Sequence, residues 1–211
     1  MKTEQLVASL VADRAQTSVP LGRAVVRAVA LGALVSLAIF ALEFGPRVDL
    51  AAAFATWRFD LKLLLVLAAL VAASGACIAL ARPLSSGTWR RGVVPVVLIA
   101  AAGLASELLL APPGSWATRL VGSNALVCLT AIPIFALAPL AALLLALRRA
   151  APASPALAGA ASGALAAAAA ATLYAFHCFD DSPLFVLTWY SLAAIPVILV
   201  GAALGHRLLR W

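Results

Sequence analysis

The sequence is 211 residues long, 65% hydrophobic and only 11% charged, with a mean hydropathy of +1.09. Soluble globular chains carry roughly a quarter charged residues and under half apolar ones, so this composition excludes a soluble fold and makes lipid the solvent. The formal charge of +7 would suit a nucleic-acid binder, but the basic residues are scattered through short loops. No polar, basic segment is long enough to fold as a binding module, so direct nucleic-acid binding is not expected.

In chain order, the first element is a short amphipathic helix in the N-terminal tail, residues 1–24. Leu6, Val7, Leu10 and Val11 fall on one helical face, Thr3 is a candidate cap, and Ala15–Pro20 breaks the helix before the membrane. Such a stripe can dock into a partner's groove or lie on lipid. Its moderate charge favours the partner.

Six apolar runs then reach the roughly 20 residues that a spanning helix needs: 25–44, 61–81, 93–111, 125–147, 156–176 and 184–205. Gly45-Pro46, Arg82-Pro83, Pro112-Pro113-Gly114, Pro152 with Pro155, and Asp181-Ser182-Pro183 punctuate the breaks. Residues 25–211 therefore read as one all-α integral membrane bundle. The first run follows some 24 fairly polar residues and precedes five more spans, which argues against a cleaved signal peptide. Pro95, Pro133, Pro139 and Pro196 lie inside spans, where neighbouring helices must satisfy the carbonyls they free.

Orientation follows from counting cations. Eleven of the 15 Lys and Arg residues fall in the tail, the second and fourth loops and the C-terminus. Arg47, Arg58, Lys62 and Arg119 fall on the other side, with six of the eight acids. The cation-rich side is expected to be cytoplasmic, giving an N-in, C-in topology in a bacterial inner membrane. Trp57, Phe59, Trp116, Tyr174, Phe176, Phe179, Phe185, Trp189 and Tyr190 cluster toward the outer face, with Trp89 and Trp211 at the inner one, as interfacial belts do.

Gly159-x-x-x-Gly163 and Gly201-x-x-x-Gly205 sit at similar depth in the fifth and sixth spans. They are read first as a close-packing seam within the chain and second as a homodimer contact. Glu107 is an acid inside an apolar run and a functional suspect by default. An ion pair with Arg119 or Lys62 is the favoured reading. Ser182 or Asp181 is expected to cap the sixth span, with Pro183 in its first turn.

Three cysteines remain. Cys77 lies near the inner end of the second span, roughly 15 Å in depth from the other two. That is too far for a disulfide, and it reads as an inert core thiol. Cys128 and Cys178 are both expected near the outer face, where thiols can pair, bind a soft metal or meet an oxidant. His177, Asp180 and Asp181 would supplement a thiolate metal site. A static disulfide or simple burial is the competing account. There is no phosphate-binding Gly loop, no C-x-x-C and no H-E-x-x-H, so neither an enzyme nor a cofactor is expected. A small transporter and a membrane thiol oxidoreductase stand as alternative classes.

The pattern resembles the NrsF family. The likeness runs through Met1–Leu10, Gly45-Pro46-Arg47 with Asp49-Leu50, Glu107–Pro113, Cys128 with Pro133, Tyr174–Cys178 with Ser182-Pro183 and Trp189-Tyr190, and Arg207–Trp211. The resemblance implies a membrane-bound anti-sigma factor. Such a protein holds an extracytoplasmic-function sigma factor at the inner membrane and releases it on an envelope, metal or oxidative signal.

Overall fold

The computed structural model describes residues 20–84 and 87–210, together with Thr3. The tail face of Leu6, Val7, Leu10 and Val11 lies outside the described residues. Among the described residues the chain is helical and has no strand. Six helices are long and apolar enough to cross a membrane: α1 (Leu21–Glu43), α2 (Trp57–Leu80), α3 (Val93–Leu110), α4 (Ala125–Leu147), α5 (Pro155–Ala175) and α6 (Pro183–Leu208).

The helix ends depart from the apolar runs where polar residues join a helix. α2 begins at Trp57, four residues before its apolar run, and so takes in Arg58 and Asp60 ahead of Lys62. Gly87–Gly92 form a 3-10 turn leading into α3. The first loop contains a single helical turn (Leu50–Ala53) and the third a short helix (Trp116–Val121).

α5 is the hub, packed between α2, α4 and α6, while α3 leans mainly on α2 at the rim. Its alanine-rich sequence suits a central position, because small side chains let neighbouring backbones approach. The approach is tightest against α6. A Cβ on Gly159 would meet the Gly201 carbonyl and sit 2.7 Å from Gly205 Cα, and one on Gly163 would sit 2.6 Å from the Val197 carbonyl. α1 meets α4 in the same way, with Gly32 against the backbone of Pro139.

Pro139 has no N–H, so it leaves the Phe135 carbonyl one turn earlier without its helical donor. The Ser36 hydroxyl of α1 donates to that carbonyl at 2.6 Å. A proline in α4 is thus matched by a serine in α1, which satisfies the carbonyl that the proline frees.

α6 is not uniform. Val186–Tyr190 form a π-helical segment between α-helical stretches. Such segments re-aim side chains and frequently mark functional sites. Here Trp189 Nε1 reaches the Leu120 carbonyl at 2.7 Å, while Tyr190 turns into the core.

Candidate functional site

The first, third and fifth loops share one end of the bundle, called here the odd-loop end. α1 stops there at Gly45, whose positive φ of 68° permits the left-handed turn that closes a helix; its N–H donates back to the Phe40 carbonyl at 2.8 Å. The next residues bind the fifth loop. Arg47 N–H donates to the Phe176 carbonyl at 2.9 Å, and His177 Nδ1 lies 3.0 Å from the Gly45 carbonyl.

Two charge clusters fasten this end. In the first, Arg47 holds Asp49 at 2.7 Å and Asp181 at 2.8 Å, and stacks over Phe179. Lys62, whose side chain has no exposed surface, also pairs with Asp181. Both cations donate to the Cys178 carbonyl, at 3.2 Å and 2.8 Å. The hydrogen bond from Arg47 pulls the Asp49 carboxyl below its usual range. In the second cluster the fully buried Glu107 accepts from Arg58 at 2.8 Å, Arg119 at 3.1 Å and Ser182 Oγ at 3.1 Å.

Asp180 completes the fastening. Its carboxylate accepts from the backbone N–H groups of Ser123 and Asn124 at 3.0 and 2.8 Å. It therefore sits at the N-terminus of α4, where unpaired donors and the helix dipole favour an anion. Gly122 is needed beside it: its φ is 59°, and a Cβ there would run into Phe185 and Asp180.

Inside this frame lie the two thiols expected near the outer face. Cys128 and Cys178 are both free and fully buried, and they belong to the same hydrophobic core. The Cys178 N–H donates to the Tyr174 carbonyl at 3.1 Å. Burial pushes the Cys178 thiol up, against an opposing pull from Lys62. Cys77 stands apart, with its sulfur 3.7 Å from Ser162 Oγ. Tyr174 and Tyr190 share that core, and among the described residues neither hydroxyl meets a partner in hydrogen-bond geometry. An unpaired buried hydroxyl costs about 1–3 kcal/mol.

Several expectations need revision. Ser182 occupies the residue before α6 but makes no side-chain cap; its hydroxyl serves Glu107 instead. Asp181 likewise serves Lys62 and Arg47. A fully buried carboxylate and a fully buried ammonium each cost far more to leave unpaired than a helix end. Lys62 pairs with Asp181, and it is Arg58 that joins Arg119 on Glu107. His177 turns its ring toward Gly45 and edge-on to Phe44, with ring centroids 5.0 Å apart. Among the described residues no three His, Cys, Asp or Glu side chains are grouped as ligands for a metal ion.

Arg47 and Arg58, the two cations left without a partner by the sequence reading, carried a signal in the sequence. Arg47, Arg58, Lys62 and Arg119 are the four that break the orientation rule, and each is held by an acid.

The family model NrsF, described as negative regulator of sigma F, matches residues 10–211. The chain is 32% identical over 216 residues to the anti-sigma-F factor NrsF of Caulobacter vibrioides (strain NA1000 / CB15N), covering the whole of both chains. No solved structure matches it. With a match over nearly all of its length, the chain belongs to the NrsF family of negative regulators of sigma F.

Proposed function

We propose that this protein is a membrane-bound anti-sigma factor of the bacterial inner membrane, holding an extracytoplasmic-function sigma factor and releasing it when Cys128 and Cys178 meet an oxidant or a soft metal. Family membership supports negative regulation of a sigma factor. The observation that carries the sensing half is the pair of buried free thiols under a loop fastened to three other parts of the bundle. A disulfide or a metal–thiolate bond between them would pull on Cys178. Its carbonyl is the shared acceptor of Arg47 and Lys62, so movement there would loosen the first charge cluster. α5 ends and α6 begins at this loop, and both extend through the glycine seam toward the opposite end, which gives the shift a rigid path.

In this reading the tail face of Leu6, Val7, Leu10 and Val11 supplies the grip on sigma, and His177 holds the fifth loop against α1. The two thiols alone form the input; two sulfurs suffice for a disulfide, and soft cations accept thiolate ligands. Their burial is unsuited to turnover on a partner's disulfide, which disfavours the oxidoreductase alternative.

The test is a sigma-dependent transcription reporter. Replacing Cys128 and Cys178 with Ser should abolish induction by oxidant or cadmium, and an unchanged response would remove the sensing role. Deleting residues 2–13 should free sigma and raise transcription without any signal. Full repression by the inserted deletion protein would remove the docking role of the tail.

A further inference from the structure

α2 and α3 are the least buried of the six spans, and a groove of about 590 Å³ runs between them, lined by no residue of α5 or α6. Its floor is a line of small residues on α2, Ala68, Ala72, Gly75 and Ala79, whose spacing puts them on one helical face. Leu64 and Val71 wall it and are 53% and 72% exposed. A Cβ built on Gly75 meets nothing within 4 Å. From Leu64 to Ala79 the groove is roughly 22 Å long at helical rise, against roughly 15 Å for the hydrocarbon depth of one leaflet.

The groove runs down to the second loop, away from the odd-loop end. Trp89 of the 3-10 turn lines it there, and the Arg90 guanidinium lies 5.7 Å from the centroid of that ring. Arg91 follows directly, and Arg82 comes three residues after Ala79, where the floor stops. All three arginines are exposed, and among the described residues none of them is in a salt bridge. No acid occurs anywhere from Leu61 to Ser106. An open apolar channel thus ends on three cations that have no counter-charge.

We propose that this groove is a binding site for an anionic phospholipid, with one acyl chain along the α2 floor and the phosphate at Arg82, Arg90 and Arg91. Small residues leave the width of a chain between the larger walls, and tryptophan favours the headgroup level of a bilayer. Basic clusters beside membrane helices attract anionic headgroups, and the guanidinium fork matches a phosphate. Stacking on Trp89 holds Arg90 at the mouth of the groove. A second copy seated there in the same orientation would bring its own three arginines to the same depth and meet no acid, so like charges oppose it. A phospholipid supplies the chain and the missing negative charge together. The site depends on the membrane reading of the six spans and on neither the thiols nor sigma.

Native mass spectrometry of the purified full-length protein in detergent tests it, with phosphatidylglycerol and phosphatidylcholine of identical chains as the probes. The first phosphatidylglycerol should bind about tenfold more tightly than the first phosphatidylcholine, the scale expected of a few basic side chains at a membrane surface. Arg90→Ala/Arg91→Ala should bring that ratio down to about threefold or less. Arg148→Ala/Arg149→Ala removes the same charge at the end of α4, which packs on α1, α5 and α6, and should leave the ratio intact. Gly75→Leu projects into open space, so the variant should fold, and by filling the groove it should weaken the binding of both lipids.

Equal affinity for the two lipids overturns the proposal. So does an equal loss in the two arginine variants, which would make the attraction a property of the whole cationic end. Undiminished lipid binding by Gly75→Leu would put the lipid elsewhere. A dimer that this substitution disperses would make the groove an interface between copies, and tighter lipid binding after deletion of residues 2–13 would make the N-terminal tail its occupant. Either result overturns the lipid site.

Discussion

Lys62 has no exposed side-chain surface, and its ammonium is divided between Asp181 and the Cys178 carbonyl. A cation in that position is retained only while its partners are in place, because removing one side of a buried pair leaves an uncompensated charge. Lys62→Ala should therefore destabilise the protein by about 3 kcal/mol, the lower end for a broken buried pair because Arg47 remains on Asp181. Thermal unfolding in detergent measures it, and the double variant Lys62→Met/Asp181→Asn should recover part of the loss. Cys178 is the second case in which burial decides behaviour. Its thiol is pushed above the ordinary value of 9.0 by desolvation, so the folded state holds that proton more tightly than the unfolded chain does. The contribution to stability is constant below about pH 9 and falls as pH rises toward the folded value. A pH series of melting temperatures should show this alkaline loss, and Cys178→Ala should flatten it.

Between helices, the same interactions appear as matched pairs of backbone defects and the groups that repair them. Ser36→Ala would leave the Phe135 carbonyl without a donor and should cost about 1–3 kcal/mol. Adding Pro139→Ala restores an N–H one turn above that carbonyl. The double variant should thus be more stable than the serine variant alone, and additive losses would show that the two positions are not coupled. The glycine seam is predicted to be stricter: Gly159→Leu must displace the α6 backbone at Gly201 and Gly205, whereas Gly75→Ala meets nothing within 4 Å and should be neutral or slightly stabilising. The seam was legible in advance because two small-x-x-x-small repeats fell at equal depth. The Ser36–Pro139 match was not, because a proline marks only the carbonyl it frees and leaves the donor unspecified. The spans themselves were legible within about four residues, since hydropathy over 20 positions averages out local detail. Asp181 and Ser182 misled for a physical reason: an Asp-Ser-Pro triplet is a good local cap, and the long-range demand of Lys62 and Glu107 outweighed it.

Over the whole molecule, the two ends handle charge in opposite ways. At the odd-loop end Arg47, Arg58, Lys62 and Arg119 are each bound to a carboxylate. At the other end Arg23, Arg27, Arg82, Arg90, Arg91, Arg148, Arg149, Arg207 and Arg210 are exposed, and among the described residues none of them is in a salt bridge with an acid. An unpaired arginine costs about 2.5–3.5 kcal/mol at the centre of a membrane helix on insertion scales. A cation already paired with an acid carries a smaller net charge across. The four cations that dilute the simple count are therefore the four whose charge is compensated, and the asymmetry that sets orientation is larger than eleven against four. The expected arrangement places both chain ends in the cytoplasm and the thiols on the far side. Alkaline phosphatase, active only outside the cytoplasm, should be active when fused after Pro112 in the third loop and inactive when fused after Arg149 in the fourth. The reverse pattern would put the thiols and the sigma factor on the wrong sides of the membrane for the proposed relay. With the expected pattern, replacing Arg148 and Arg149 with Ala should leave the orientation intact, because seven exposed, unpaired arginines would still hold that end inside.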